Sequence, residues 1–149
     1  MERSIPVEPL KSFDNYRDSL TNLFSANVFY DALKREISLA RREGNQVGLV
    51  KFILPRDISM EHLLYFSNEL LLLARQHDLV SRISEREFVV LLRFDSEVAG
   101  ACESLIQRVA NSERRQFSYS VLVADGTKVL EQVLADLDNP QNLSLSKDT

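Results

Sequence analysis

Residues 79–92, LVSRISEREFVVLL, constrain this chain more than any other stretch. Leu79, Val80 and Ile83 make one short apolar strand with Ser81 and Arg82 between them, and Phe88 to Leu92 make a second with no polar alternation. Ser84-Glu85-Arg86 lies between them, too polar to bury and short enough to close a β-hairpin. A strand that is apolar at every position has no side to give to water, so it belongs inside a sheet covered on both faces. A chain of 149 residues, 44% apolar and 27% charged, is large enough to build such a core as one domain.

The rest of the chain supplies the covering layers. Residues 1–13 hold two prolines and little periodicity and read as an extended leader. Asp18-Ser-Leu-Thr21 offers Asp18 or Ser19 as a helix N-cap. Phe29, Leu33, Ile37 and Ala40 then recur at helical spacing until Gly44-Asn45 ends the helix. Residues 47–54 read as a strand in which Lys51 is a polar break. Asp57 or Ser59 caps a second helix running to about Gln76, with Leu63, Phe66, Leu70 and Leu73 on one face. Leu64, Leu71 and Leu72 widen that face and predict deep packing. After the hairpin, Asp95-Ser96 caps a helix carrying Val98, Cys102, Leu105, Ile106 and Val109, and residues 112–115 form a polar connection. Residues 117–124 form another strand, Asp125-Gly126 turns the chain, and Val129, Leu130, Val133 and Leu134 mark a last helix. Residues 138–149 read as a flexible tail. Helices interleaved with a sheet that contains one antiparallel hairpin predict an α/β (α+β) sandwich of ferredoxin-like type.

The hairpin also carries a resemblance. HDLVSRISEREFVVLL resembles the signature hairpin of the GGDEF family, the diguanylate cyclases that join two GTP into cyclic di-GMP, where runs like SDLVARLGGDEFAVLL are common. The signature positions are Ser84, Glu85, Arg86, Glu87 and Phe88, and only Glu87 and Phe88 match. Asp18-Ser-Leu-Thr21 resembles the family's DxLT motif, and Ser120-Val-Leu-Val-Ala124 its S-I-G-V-A strand. The likeness covers roughly residues 14–137. It implies a GGDEF-type sheet flanked by helices.

Phosphoryl transfer of this kind rests on divalent ions held by carboxylates. The family uses an acid at the third signature position and an Asp at the end of the first strand. Here the third position is Arg86, and the first strand ends in apolar residues from Phe52 to Leu54. Two like unit charges about 4 Å apart repel by ~4 kcal/mol at an effective dielectric of about 20, so Arg86 opposes a metal there. The family's FKxxND segment has no room between Leu54 and the next helix. Its base-contacting Asn is Ser25, and the glycine of DxLTGLxN is Asn22. The paired glycines of the signature are Ser84 and Glu85, which add bulk and charge. The resemblance therefore implies an inactive cyclase with no catalytic residue, no metal site and no cofactor.

A second family motif, the inhibitory R-x-x-D, stands intact as Arg75 and Asp78, followed by the five residues LVSRI before the signature. The resemblance implies that Arg75 forks onto a guanine or phosphate of cyclic di-GMP, that Asp78 accepts from the guanine edge, and that Arg108 joins them from the following helix. Forked contacts of that kind suit Arg and not Lys. Read without the resemblance, Arg75 is a helix-end cation, Asp78 a strand cap and His77 a surface residue. Two functions are consistent with the pattern. One is a cyclic-di-GMP receptor that signals to a partner protein. The other is a nucleotide-independent interaction or homodimerisation module.

Charge and composition exclude other classes. Net charge is −4, so no general field draws nucleic acid or an anionic membrane, and any anion site is local. The single Cys102 forms no internal disulfide and lies on an apolar helix stripe. Residues 1–20 lack the apolar core of a signal peptide, and Leu70–Ala74 is too short to span a bilayer, so the expected location is cytoplasmic.

Overall fold

The computed structural model describes residues 16–93 and 97–147. The leader of residues 1–13 and the Asp95-Ser96 cap lie outside them. Helix α1 spans Ala26–Glu43, strand β1 Val47–Ile53, helix α2 Met60–Leu73, strand β2 Leu79–Ser84 and strand β3 Glu87–Leu92. Helix α3 spans Val98–Ser112, strand β4 Ser118–Ala124, helix α4 Leu130–Asp138 and strand β5 Ser144–Leu145. The strands lie in the order β2-β3-β1-β4-β5, every neighbouring pair antiparallel. This is the expected α+β sandwich of ferredoxin-like type, with one strand added at an edge.

Strand alternation divides the core in two. Val47 and Leu49 of β1 join Leu79, Val89, Leu91 and Ala124 beneath α1 and α4. Val50 and Phe52 join Val80, Phe88, Val90 and Leu92 beneath α2 and α3. Phe88 to Leu92 are all buried because helices cover both faces of the sheet. Phe52 packs edge-on against Phe66 and Phe117 at 5.9 and 5.6 Å between ring centres. Gly48 lets α3 sit close to β1, since a Cβ there would meet Val98 Cγ1 at 2.6 Å and Cys102 Sγ at 2.7 Å.

Both sheet edges carry a short added segment. On the β2 edge the chain before α1 adds a short rung, with Phe24 N donating to Val80 O and Arg82 N to Phe24 O. On the β4 edge lies β5, and Ser146 N donates to Phe117 O. A free edge offers unpaired backbone groups to other chains, and these additions pair part of each edge. The expectation of a loose tail over residues 138–149 is therefore corrected: Asp138 ends α4, Pro140–Asn142 make a 3₁₀ turn and Ser144–Leu145 pair with β4. The polar composition of that stretch hid backbone pairing, which needs no apolar side chains.

Two other expectations are corrected. Ser25 caps α1 by accepting from Val28 N, while Asp18 closes its own turn. Helix α2 ends at Leu73, and its outer face keeps Leu71 56% and Leu72 77% exposed. The sheet buries one stripe of α2, built on Leu63, Phe66, Ser67 and Leu70, and no described element lies over the other. No helix among the described residues is long and apolar enough to cross a membrane.

Candidate functional site

The β2–β3 turn is tied to the segment before α1 through Arg82. Its guanidinium donates to both carboxylate oxygens of Asp18, at 3.2 and 3.1 Å, and to Glu85 O at 2.7 Å. Asp18 also accepts from the Thr21 amide and hydroxyl, each at 2.8 Å. Partial burial pushes the Asp18 carboxyl up, but the Thr21 hydrogen bonds and the Arg82 cation outweigh it and hold the pKa below its ordinary value. Asn22 completes the turn in the left-handed region with φ 63. Asn is among the few non-glycine residues that tolerate this conformation, so the turn closes without a glycine.

The turn itself is only partly solvated. Ser84 and Glu85 are exposed and Phe88 is buried. Arg86 is half-buried: its guanidinium donates to Leu54 O, while Leu54 N donates to Arg86 O. The reading of SEREF as a simple solvated turn thus needs correction at Arg86. Glu87 faces Lys51, 3.7 Å away, on the side of the sheet beneath α1 and α4. Lys51 is buried and makes a second ion pair at 2.7 Å with Asp138 at the end of α4. The polar break in β1 is thus a buried cation that holds Glu87 and the last turn of α4. Pro55 to Ser59 are all that separates Leu54 from α2. Among the described residues no three His, Cys, Asp or Glu side chains are grouped as a metal site.

Arg75, Asp78 and Arg108 come together at the C-terminal end of α2. The chain turns between Ala74 and Leu79, with Asp78 N donating to Arg75 O at 3.0 Å and the Asp78 carboxylate accepting from Arg75 N at 2.9 Å. Arg108, on α3, donates to Leu73 O at 2.9 Å and to Ser104 Oγ at 2.9 Å. It supplies a cation to carbonyls that a helix end leaves unpaired. Arg75 and His77 are exposed. His77 O accepts from Arg93 Nε at 3.3 Å, and Arg93 pairs with Glu36 at 3.5 Å.

Sequence reasoning missed three interactions here: Arg82 with Asp18, Lys51 with Glu87 and Asp138, and His62 with the buried Glu113, whose nearer oxygen lies 2.9 Å away. The charged residues inside apolar strands were the available signal, since a buried charge requires a partner. Glu113 gave no such signal, because it sits in a polar run.

No protein-family model matches the sequence, and no curated protein matches it. Solved structures do match in fold. The GGDEF domain of FimX from Pseudomonas aeruginosa aligns at a TM-score of 0.72 and 14% identity, over 83% of this chain and 90% of that one. The GGDEF domain of DgcB from Caulobacter crescentus, in complex with c-di-GMP, aligns at 0.71 and 17%, over 84% of each chain. The diguanylate cyclase SiaD of Pseudomonas aeruginosa, in complex with its activator SiaC, aligns at 0.67 and 18%, over 88% of this chain and 59% of that one. At such identities the likeness is one of fold: the chain has the architecture of a GGDEF domain.

Proposed function

We propose that this chain is a catalytically inactive GGDEF-like domain that binds cyclic di-GMP through Arg75, Asp78 and Arg108 and signals to a partner protein. The observation that carries the reading is the contact of Arg108 with Leu73 O, at the helix end from which the Arg75–Asp78 turn departs. A forked donor, a carboxylate and a second cation from another helix are the groups that a guanine edge and a phosphate call for. The DgcB domain, solved with c-di-GMP, and SiaD, solved with a protein activator, are precedents in fold for both halves of the proposal.

Inactivity rests on different residues. The third signature position is a cation held on Leu54, Glu87 is held by Lys51, and the end of β1 offers no carboxylate. A divalent ion bridging a triphosphate has no anionic ligand set there.

Titration calorimetry with cyclic di-GMP tests the receptor role. The expected result is saturable binding by wild type that is lost in Arg75→Ala and in Arg75→Lys. A charged, forked contact is worth on the order of 2–3 kcal/mol, roughly 30- to 150-fold in affinity. Absence of heat and of amide shifts with wild type at high ligand concentration refutes it. The second reading, an interaction module without nucleotide, is favoured by the exposed Met60, Tyr65, Leu71 and Leu72 on α2. It takes over if binding fails.

A further inference from the structure

Strand β4 is an edge strand for most of its length. Strand β5 pairs with it only at Ser118 and Tyr119, and one rung earlier Ser146 N donates to Phe117 O. Antiparallel pairing alternates along a strand. The backbone groups of Phe117, Tyr119, Val121 and Val123 therefore point away from β1, and those of Ser118, Ser120, Leu122 and Ala124 point toward it. Among the described residues nothing pairs with the outward N–H and C=O groups of Val121 and Val123. Natural edges are blunted by Lys, by Pro, by a bulge or by a covering segment. Residues 120–124 contain no Lys and no Pro, and their register with β1 is unbroken. We infer that this edge pairs with itself: two copies of the chain join antiparallel along β4, across a two-fold axis at Leu122, into one continuous sheet.

The sequence of the edge has the symmetry that a two-fold axis requires. An isologous contact places residue i against j and j against i. Ser120-Val-Leu-Val-Ala124 reads nearly the same from both ends. Leu122 thus meets Leu122 of the second copy, Val121 meets Val123, and Ser120 meets Ala124. Val121 and Val123 are the residues whose backbone groups point outward, so they form the hydrogen-bonded pairs of the new ladder. The register also stops in the right place. Ala124 of the second copy lies opposite Ser120, and β4 ends at that residue. The next position, Tyr119, is the one that β5 already occupies. Leu122 lies half-buried at the rim of the core beneath α1 and α4, and Val121 and Val123 lie at the rim of the core beneath α2 and α3. Pairing carries both cores across the axis. A foreign strand would satisfy the same backbone groups but gives no reason for the symmetry. The inference uses neither the Arg75–Asp78 turn nor the exposed face of α2. A contact built on one short strand belongs to the small class of interfaces, under ~1,200 Å², so the dimer is weak and depends on concentration.

The test is sedimentation velocity from micromolar to millimolar protein, with amide hydrogen exchange measured by NMR at both ends of the series. The expected result is a reversible monomer–dimer equilibrium, unchanged in Arg75→Ala. The amides of Val121 and Val123 should exchange freely in dilute protein and roughly tenfold more slowly in concentrated protein. Those of Ser120 and Leu122, bonded to β1, should be protected at both. Leu122→Lys sets like charges opposite each other across the axis, and so does Leu122→Glu. Each variant alone should weaken the dimer roughly tenfold or more, and an equimolar mixture should regain it, because a lysine then faces a glutamate. Hydrogen exchange of wild type keeps the test valid if either variant fails to fold. Three outcomes overturn the assignment: a monomer at every concentration, a dimer whose Val121 and Val123 amides exchange as fast as in the monomer, or folded Leu122 variants whose mixture stays monomeric.

Discussion

At the scale of single residues, the turn before α1 depends on a non-glycine residue in the left-handed region. Asn22 holds a left-handed φ of 63, a conformation in which a Cβ without a hydrogen-bonding side chain is strained. Asn22→Gly should be neutral or slightly stabilising, and Asn22→Ala should cost about 1 kcal/mol in urea unfolding. Asp18 gives a pH-dependent test. Its pKa is held below the ordinary 3.8, so the stability it adds is complete above that value and is lost as pH falls through the lower, folded value. Wild type should be more stable than Asp18→Asn at neutral pH, and the gap should close in melts run below about pH 4. A gap that stays constant with pH would mean that the Arg82 pairing adds nothing through charge. Arg75, Asp78 and the hairpin turn were singled out in the sequence by their offsets along one continuous segment. The partners were not legible, because Arg82 reaches Asp18 across 64 residues and Lys51 reaches Asp138 across 87. Local periodicity carries no information at that range.

At the scale of elements, α2 separates what hydrophobic pattern can and cannot say. Nine of its residues are Leu, Phe, Tyr or Met in the run MEHLLYFSNELLLL, enough to predict burial all round. Only one stripe meets the sheet, since the edge of the layer leaves the outer turn uncovered. The two leucines at 70 and 71 therefore have opposite fates. Leu70→Ala should cost about 2–5 kcal/mol through the cavity it leaves. Leu71→Ser combined with Leu72→Ser should shift stability by no more than about 0.5 kcal/mol per site, read as the urea midpoint. A large loss in the double variant would mean that the outer face is packed against a second copy, which sedimentation of wild type would then reveal. The hairpin behaved differently: β2 and β3 fall within one residue of their expected ends, because a strand apolar at every position leaves the chain little choice of layer. Strand β5 escaped prediction for the opposite reason, as its two exposed residues are held by backbone bonds alone.

At the scale of the whole molecule, the architecture is that of a GGDEF domain, and the β2–β3 turn carries a cation, Arg86, at its third position. The purified protein should make no cyclic di-GMP from GTP with magnesium or manganese. A single substitution, Arg86→Asp, should not confer synthesis. It would restore one acid at the third signature position, yet Glu87 would remain bound to Lys51 at 3.7 Å, and Phe52 to Leu54 would still provide no second carboxylate. A lone monodentate acid leaves a divalent ion largely hydrated and too weakly held to organise a triphosphate. Arg86→Asp also removes the donor to Leu54 O while leaving the Arg75–Asp78 turn intact. Assayed by chromatography of nucleotide products, both wild type and Arg86→Asp should match a no-protein control. Product from wild type would refute inactivity outright. Product from Arg86→Asp alone would show that one charge at this turn, rather than the combined loss of metal ligands and of the segment after β1, separates this chain from an active cyclase.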